Sequence, residues 1–269
     1  GIRDFCLSRG LGDVYKRQEQ KAGVIGIASG KGGVGKTTIS VNLAIALTKL
    51  GKKVALIDAD LGLANAQILL GANAPFNLSD VVNGRKEIKD VAVETKQGLI
   101  LVPGASGNSE VANLNSLQTQ SLIQSLFEAY RELDIIIVDS AAGLSSSNLT
   151  FIRACDLRLV VMQDEPASIA DAYGLIKLQS LEKRMKDLFI LPNRVENQAG
   201  GQKLFEKMNG VCMRFLEEPV RYLHSLEEDD AMRTASRRRE DIFEKYPNSK
   251  LAISFTALAE KLAAEMSAH

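Results

Sequence analysis

The amino-acid sequence predicts an α/β fold, in which a mainly parallel, twisted sheet carries helices on both faces. Short apolar runs alternate along the chain with longer segments whose apolar residues recur every three or four positions, and these patterns are typical of buried strands and of helices. A glycine-rich loop follows the first apolar run. Because ligand loops lie at the carboxyl ends of parallel strands, this loop stands where such a fold binds its ligand.

The strands are predicted from short runs that are apolar at nearly every position, which is typical of strands buried on both faces. In chain order they are Val24–Ala28, Val54–Ile57, Leu99–Val102, Ile135–Val138, Leu157–Met162 and Leu188–Leu191, with a weaker run at Val220–Leu223.

The helices are predicted from the three- and four-residue spacing of apolar side chains. They are Lys36–Leu50, Ser116–Glu132, Ser168–Lys183, Gln202–Phe215, Asp229–Ser236 and Ser249–Met266. The last helix has an apolar stripe that could pack on the sheet or lie on a membrane. We expect packing, because its polar side mixes Glu260, Lys261 and Glu265, whereas anionic lipids favour a basic face.

The composition indicates one domain and argues against several other classes of protein. The chain has 269 residues, 45% of them hydrophobic, and no Pro/Ser-rich linker divides it, so we expect one domain over residues 19–269. Basic and acidic residues balance at 33 each, which argues against a surface that coats nucleic acid. Apolar runs are far shorter than the roughly 20 residues that span a bilayer. We therefore expect a soluble, cytoplasmic protein.

The few cysteines and histidines are dispersed and lack a C-x-x-C pair, so neither a disulfide framework nor a zinc site is predicted. Cys155 and Cys212 are expected to be small buried hydrophobes.

Residues 1–18 are expected to be non-native. They show no clear periodicity, and Asp13–Gln18 matches the translation of a common sequencing-adapter end. The segment is therefore excluded from the fold prediction.

The loop from Ser29 to Thr38 has the pattern G-x-x-x-x-G-K-[ST] between a predicted strand and a predicted helix. Its glycines allow backbone N–H groups to close around a polyphosphate, Lys36 can reach the β- and γ-phosphates, and the Thr37 hydroxyl can bind Mg²⁺. A glycine-rich turn without a nucleotide is the alternative. The residues expected to bind the nucleotide are Gly30, Lys31, Gly32, Gly33, Val34, Gly35, Lys36, Thr37 and Thr38.

A second lysine, Lys31, distinguishes this loop from ordinary phosphate-binding loops. The pattern resembles the deviant Walker A ATPases of the MinD/ParA type, which implies a P-loop NTPase fold and Mg²⁺-dependent hydrolysis of ATP. The resemblance also implies that Lys31 crosses an ATP-dependent homodimer interface to contact the partner's nucleotide, so that Lys31 and Lys36 both serve catalysis. A solvated loop lysine is the alternative.

Two carboxylates, Asp58 and Asp60, follow the second predicted strand. The segment Asp58–Asn65 resembles the switch I motif of the family. By that resemblance Asp60 orients or activates the attacking water, and Asp58 supports the Mg²⁺ shell. Phosphoryl transfer depends on such positioning and on charge neutralisation. A turn and a helix N-cap are the alternative for these aspartates.

The fourth apolar run ends in Asp139, as in a Walker B strand. A carboxylate at this end of a buried strand can hold Mg²⁺-bound water near Thr37, and Gly143 can sense the γ-phosphate. The predicted metal site therefore comprises Thr37, Asp58 and Asp139. The family usually has proline where this chain has Ala141, which could soften the loop.

Adenine is expected to bind after the sixth strand. Pro192-Asn193-Arg194 resembles the base-contacting turn of the family, with Asn193 reading the purine edge. The alternative is a structural asparagine in a turn. Glu227 replaces a proline that relatives commonly have downstream, so the wall around the base could differ.

The resemblance extends over residues 24–264 and is greatest to flagellar-number regulators of the FlhG/FleN type. It rests on Asp60–Asn65, Asp139–Gly143 and Asp164–Lys177, and the cell-division branch usually has arginine in place of Ala64. It implies an ATP-controlled switch with slow hydrolysis that acts through a flagellar GTPase or a transcriptional activator. Transient contact with the inner face of the cell membrane is also compatible with it.

Three alternatives share the loop. A partition ATPase would bind DNA through basic residues such as Arg233 and Arg237–Arg239, although acidic residues follow them directly. A MinD-like division-site ATPase would associate with the membrane. A metal-cluster reductase would need cysteines near switch II, which Cys155 and Cys212 do not supply.

Overall fold

The computed structural model describes residues 22–61, 64–105, 114–181 and 185–268. The strands in these ranges are β1 Gly23–Ser29, β2 Val54–Ala59, β3 Val93–Glu94, β4 Ile100–Val102, β5 Ile135–Ala142, β6 Leu157–Met162, β7 Leu188–Val195, β8 Arg221–Tyr222 and β9 Leu226–Glu227. They form one sheet in the spatial order β3-β4-β2-β5-β1-β6-β7-β8, and β9 pairs with β7. Of these pairings only that of β3 with β4 is antiparallel.

The helices of the described ranges are α1 Lys36–Lys49, α2 Ala66–Leu70, α3 Leu78–Val82, α4 Ile88–Val91, α5 Ser116–Ala129, α6 Ser146–Ala154, α7 Pro166–Ser180, α8 Gln198–Leu216, α9 Asp230–Arg238, α10 Ile242–Lys245 and α11 Lys250–Ser267. A 3₁₀ turn covers Met185–Asp187. None of these helices is long and apolar enough to cross a bilayer.

The helices cover both faces of the sheet, as predicted. Along β1, Ile25 packs into the cluster that contains α1 and α11, whereas Val24 packs into the cluster of α5, because successive side chains of a strand point to opposite faces. The apolar stripe of α11 is buried in the first cluster; Phe255 and Leu258 are almost inaccessible to solvent. The expected packing of the last helix is therefore confirmed.

Several elements differ from the prediction. The three short helices α2, α3 and α4 and the edge strand β3 were not expected, nor was α6. The weak apolar run at Val220–Leu223 forms only the two-residue β8, and the chain then returns to the sheet as β9. Helix α8 begins at Gln198 rather than Gln202, because the side chain of Asn197 accepts the N–H of Gly200 as an N-cap.

Some sequence predictions lie outside the described ranges. They concern residues 1–18, Gly62 and Leu63 of the segment resembling switch I, and the end of the helix predicted to reach Lys183.

The parallel strands place their carboxyl ends at one edge of the sheet. Strands β2, β5, β1, β6 and β7 are neighbours in that order. The carboxyl halves of these strands and the residues directly after them carry Asp58, Asp139, the glycine-rich loop, Gln163 and Asn193. Residues far apart in the chain, such as Val34 and Asn193 at a separation of 159 positions, thus meet at one site.

Candidate functional site

The glycine-rich loop joins β1 to α1 and leaves the start of that helix open. Gly35 is the N-cap, and no side chain caps the helix, which also lacks an acidic residue in its first turn. The first N–H groups of a helix have no partner within the helix, and the helix dipole favours negative charge beside them. The start of α1 is therefore suited to bind a phosphate group.

Two glycines of the loop lie where a larger residue does not fit. Gly35 has a φ of 98°, in the left-handed region, and an added Cβ would lie 2.7 Å from Nδ2 of Asn193. A Cβ on Gly30 would overlap the backbone carbonyl of Asp171 in α7. The loop is therefore packed tightly against the ends of the neighbouring elements, whereas Gly32 and Gly33 are exposed.

Lys36 is buried at the base of the loop, where its ammonium donates to the Ser29 hydroxyl at 2.9 Å. Burial lowers the pKa of Lys36, and the negative charges of Asp139 and Asp60 act in the opposite direction. This cation thus lies among carboxylates, next to the open helix N-terminus.

Asp139 lies in the carboxyl half of β5, which continues to Ala142, and is fully buried. The Ser40 hydroxyl donates to its Oδ1 at 2.9 Å, and its Oδ2 has no hydrogen-bond partner among the described residues. Burial and the charge of Asp58 raise the pKa of Asp139 to about 7, against the hydrogen bonds from Thr37 and Ser40 and the charge of Lys36. An unpaired buried carboxylate oxygen near a threonine hydroxyl fits Mg²⁺, which prefers oxygen ligands.

Asp58 lies opposite Asp139 in the register of β2 and β5. Its carboxylate accepts the backbone N–H groups of Asp60, Asn65 and Ala66 at 3.2, 2.9 and 3.0 Å. Burial raises the pKa of Asp58 to about 6, although these hydrogen bonds oppose the shift. The side chain therefore fastens the turn and the start of α2, which was the alternative considered from the sequence. Its role in the Mg²⁺ shell stays a prediction.

Asp60 lies in the turn that Asp58 fastens. Its negative charge raises the pKa of Lys36, against the effect of burial. Its role in positioning water stays a prediction.

Lys31 forms an ion pair within its own chain. Its ammonium lies 3.0 Å from Oε2 of Glu165, directly before α7, and both side chains are about half exposed. Exposed pairs of this kind contribute only about 0–1 kcal/mol. Lys31 is therefore available to exchange this carboxylate for another anion, and its action across a dimer interface stays a prediction.

Asn193 lies near the end of β7 and is buried. Its Nδ2 donates to the Val34 carbonyl at 2.7 Å, so the amide contacts the phosphate loop itself. Glu227, in β9, accepts a hydrogen bond from Gln198 at 3.2 Å and pairs with Lys250 at 3.2 Å. Glu227 stands where relatives commonly have proline, and its negative charge is thus neutralised by Lys250.

Sequence reasoning missed three polar residues at this edge of the sheet: Ser40, Gln163 and Glu165. Ser40 lies three residues after Thr37, on the same face of α1, and this spacing could have identified it. Gln163 and Glu165 follow β6. Glu165 lies in the segment Asp164–Lys177, which carries the family resemblance, but no role was assigned to it there, and no motif marks Gln163.

The described residues contain no group of three or more His, Cys, Asp and Glu side chains arranged to hold a metal ion. Cys155 and Cys212 are both buried, as expected for small hydrophobes.

Comparisons with known proteins agree with the geometry of the site. Residues 25–242 match the CobQ/CobB/MinD/ParA nucleotide binding domain. The chain is 41% identical to the antiactivator FleN of Pseudomonas aeruginosa, over 89% of this chain and 85% of that protein. It is 31% identical to the flagellum site-determining protein YlxH of Helicobacter pylori, over 90% of this chain and 82% of that protein.

Among solved structures, the chain is similar to the septum site-determining protein MinD of Pyrococcus horikoshii, complexed with Mg-ADP. The TM-score is 0.74 and the identity 27%, over 90% of this chain and 96% of that one. The chain therefore belongs to the CobQ/CobB/MinD/ParA nucleotide-binding family, as an ATPase of the MinD/ParA type that uses ATP and Mg²⁺.

Proposed function

We propose that this ATPase is an ATP-dependent dimerising switch that regulates the number or placement of flagella through partner proteins. The observation that carries the proposal is the 41% identity to FleN over 89% of the chain, and the similarity to YlxH supports it. FleN is named an antiactivator, which supports a transcriptional activator as a partner of this chain. A flagellar GTPase is the second partner that we propose.

In the proposed mechanism, the chain binds ATP through the amides at the start of α1 and the charge of Lys36. When ATP binds, the ammonium of Lys36 leaves the Ser29 hydroxyl and binds the phosphates. An anionic hydrogen-bond partner thus replaces a neutral one. Thr37 and Oδ2 of Asp139, which has no hydrogen-bond partner among the described residues, would hold Mg²⁺, and the ion would supply positive charge at the phosphate oxygens. Asp60 orients the attacking water, so hydrolysis depends on positioning more than on covalent chemistry.

Dimerisation is proposed to depend on Lys31. Its partner in the single chain, Glu165, is an exposed carboxylate, whereas the phosphates of a nucleotide on the second subunit carry more charge. If Lys31 leaves Glu165 and binds these phosphates, it completes the nucleotide site of the second subunit. This exchange would occur only when a triphosphate is bound. Loss of the γ-phosphate would release both switch segments, and the dimer would separate.

The alternatives have less support. Arg233, the first residue of the basic cluster, pairs with Glu228 at 2.9 Å and with Asp230 at 3.3 Å. These carboxylates neutralise its positive charge, which reduces its attraction to DNA phosphates. The apolar stripe of α11 is packed into the core and is not free to bind lipid. A transient membrane contact remains part of the proposal only by analogy with the MinD-type relatives.

A genetic complementation experiment tests the flagellar role. The chain is expressed in Pseudomonas aeruginosa lacking FleN, and flagella are counted per cell by electron microscopy. We expect the parental number to be restored by the wild-type chain and not by Lys36→Ala at equal protein level. Failure of a stably expressed wild-type chain to change the number would argue against this role.

A further inference from the structure

The carbonyl of Val34, inside the phosphate loop, lies between two side-chain amides. Nδ2 of Asn193 donates to it at 2.7 Å and Nε2 of Gln163 at 3.4 Å. Val34 and Asn193 are both buried. The two amides come from the carboxyl ends of β7 and β6, which are adjacent strands of the sheet. The edge of the sheet thus holds the loop through two side chains.

These hydrogen bonds fix the direction of one peptide group. A peptide unit is planar and trans, so its C=O and the following N–H point in opposite directions. With the Val34 carbonyl turned toward Asn193, the N–H of Gly35 is turned away from β7. Gly35 has a left-handed φ, and an added Cβ would lie 2.7 Å from Nδ2 of Asn193, so this position leaves no room for a side chain.

Gln163 is itself held in place. Its backbone N–H donates to the Ser168 hydroxyl at 3.0 Å, and its carbonyl accepts the N–H of Glu165 at 2.8 Å. Glu165 in turn pairs with Lys31. The start of α7 is thus connected to the phosphate loop at two points, Lys31 and Val34.

We propose that Asn193 and Gln163 are positioning residues that hold the Val34–Gly35 peptide in its phosphate-binding orientation before the nucleotide arrives. This deepens the proposed function and rests on the assignment of the loop to nucleotide binding. Pre-organised amides need no reorientation on binding, which increases affinity. Asn193 would then have a role in the loop besides its predicted contact with the base.

A ligand without a base separates the two roles of Asn193. We measure binding of Mg-ATP and of Mg-tripolyphosphate by calorimetry for wild type, Asn193→Leu and Gln163→Met. Both substitutions keep approximate size and remove the donor. For tripolyphosphate we expect about a tenfold loss in Asn193→Leu and a smaller loss in Gln163→Met, whose hydrogen bond is longer. Gln198→Met, which removes an amide bonded to Ser225 and Glu227 instead, is the matched control and should bind tripolyphosphate like wild type.

A second readout is hydrogen exchange of the ligand-free protein. Exchange of the amides in residues 33–36 should be faster in Asn193→Leu than in wild type, with the melting temperature as a check of folding. Asn193→Ala replaces Asn193→Leu if the latter does not fold.

The outcomes are distinct. If Asn193→Leu loses ATP affinity but binds tripolyphosphate like wild type, Asn193 contacts only the base and the inference is wrong. If wild type itself binds neither ligand, the proposed nucleotide site is wrong. Loss of tripolyphosphate binding in the two donor variants with normal binding in Gln198→Met would establish the positioning role.

Discussion

At the scale of single residues, the site is a buried cation among carboxylates. Lys36 lies near Asp139 and Asp60, and Asp58 and Asp139 face each other across adjacent strands. Burying charged groups costs free energy unless they are paired. The ligand-free site therefore holds charge that phosphate groups and Mg²⁺ can compensate, which is the electrostatic basis of binding.

Removing the lysine tests this basis. Lys36→Ala should weaken ATP binding roughly a hundredfold or more, because a charged hydrogen-bond partner of the phosphates is lost. Calorimetric titration gives the affinity, and Lys89→Ala, an exposed lysine in α4, serves as the control. Unchanged affinity in Lys36→Ala would remove the phosphate-loop interpretation.

The raised pKa of Asp139 predicts a pH-dependent stability of the ligand-free protein. The pKa rises from 3.8 to about 7 on folding, so the folded state binds more protons than the unfolded state between these values. Stability is then complete below about pH 4 and decreases as pH rises through about 7. Asp139→Asn cannot ionise, and its free energy of unfolding should exceed that of wild type by on the order of a few kcal/mol at pH 8 but much less at pH 5.

Urea unfolding at the two pH values measures this difference. Asp164→Asn, an exposed carboxylate, should show no such change. Equal effects of Asp139→Asn at pH 5 and pH 8 would mean that Asp139 is already ionised in the folded protein at pH 5.

At the scale of elements, the turn after β2 is fastened by one carboxylate. Asp58 accepts the N–H groups of Asn65 and Ala66, and so connects the carboxyl edge of the sheet to α2. A helix of five residues is unstable on its own, so its order depends on this contact and on its packing. A change at Asp58 should therefore appear in α2.

Asp58→Ala should destabilise the start of α2 by about 1–2 kcal/mol, the usual value of an N-cap. Hydrogen exchange of residues 65–70 should become faster by about tenfold or more. Asp80→Ala is the matched control, because Asp80 accepts the N–H of Asn77 at the start of α3 and should affect α3 alone. Unchanged exchange in α2 would show that packing alone orders this helix.

The regular elements could be predicted from the sequence because their signals are local. The runs ending at Ala28 and Val138 are apolar throughout and form buried strands, and α1 and α11 show helical spacing. Helices α2 to α4 are too short to show a period, and the two-residue strands β3, β8 and β9 exist only because a neighbouring strand pairs with them. The contacts of Gln163 and Glu165 depend on tertiary structure and left no mark in the sequence.

At the scale of the whole molecule, the proposed switch requires a second subunit to bind beside the phosphate loop. Lys31 forms an exposed ion pair with Glu165, next to a loop whose glycines at positions 32 and 33 are exposed. A second subunit could approach the bound phosphates from this side. In the proposed switch, ATP is distinguished from ADP by whether the dimer forms, because Lys31 contacts the nucleotide of the other subunit.

The variant Lys31→Ala tests whether Lys31 contacts the nucleotide of the partner subunit or that of its own subunit. The variant should bind ATP with nearly normal affinity, because the residue it removes pairs with Glu165 in the single chain, but should fail to dimerise. Calorimetry and light scattering on the same sample give both results. If Lys31→Ala lost ATP binding as severely as Lys36→Ala, the lysine would act within its own subunit.

The most direct test of the switch is the mass of the protein in solution as a function of nucleotide. Asp60→Ala should bind ATP and hydrolyse it far more slowly than wild type, which keeps the triphosphate in place. Light scattering of Asp60→Ala should give the mass of a dimer with Mg-ATP and of a monomer with Mg-ADP. A monomer in both conditions, with ATP binding shown by calorimetry, would contradict the account.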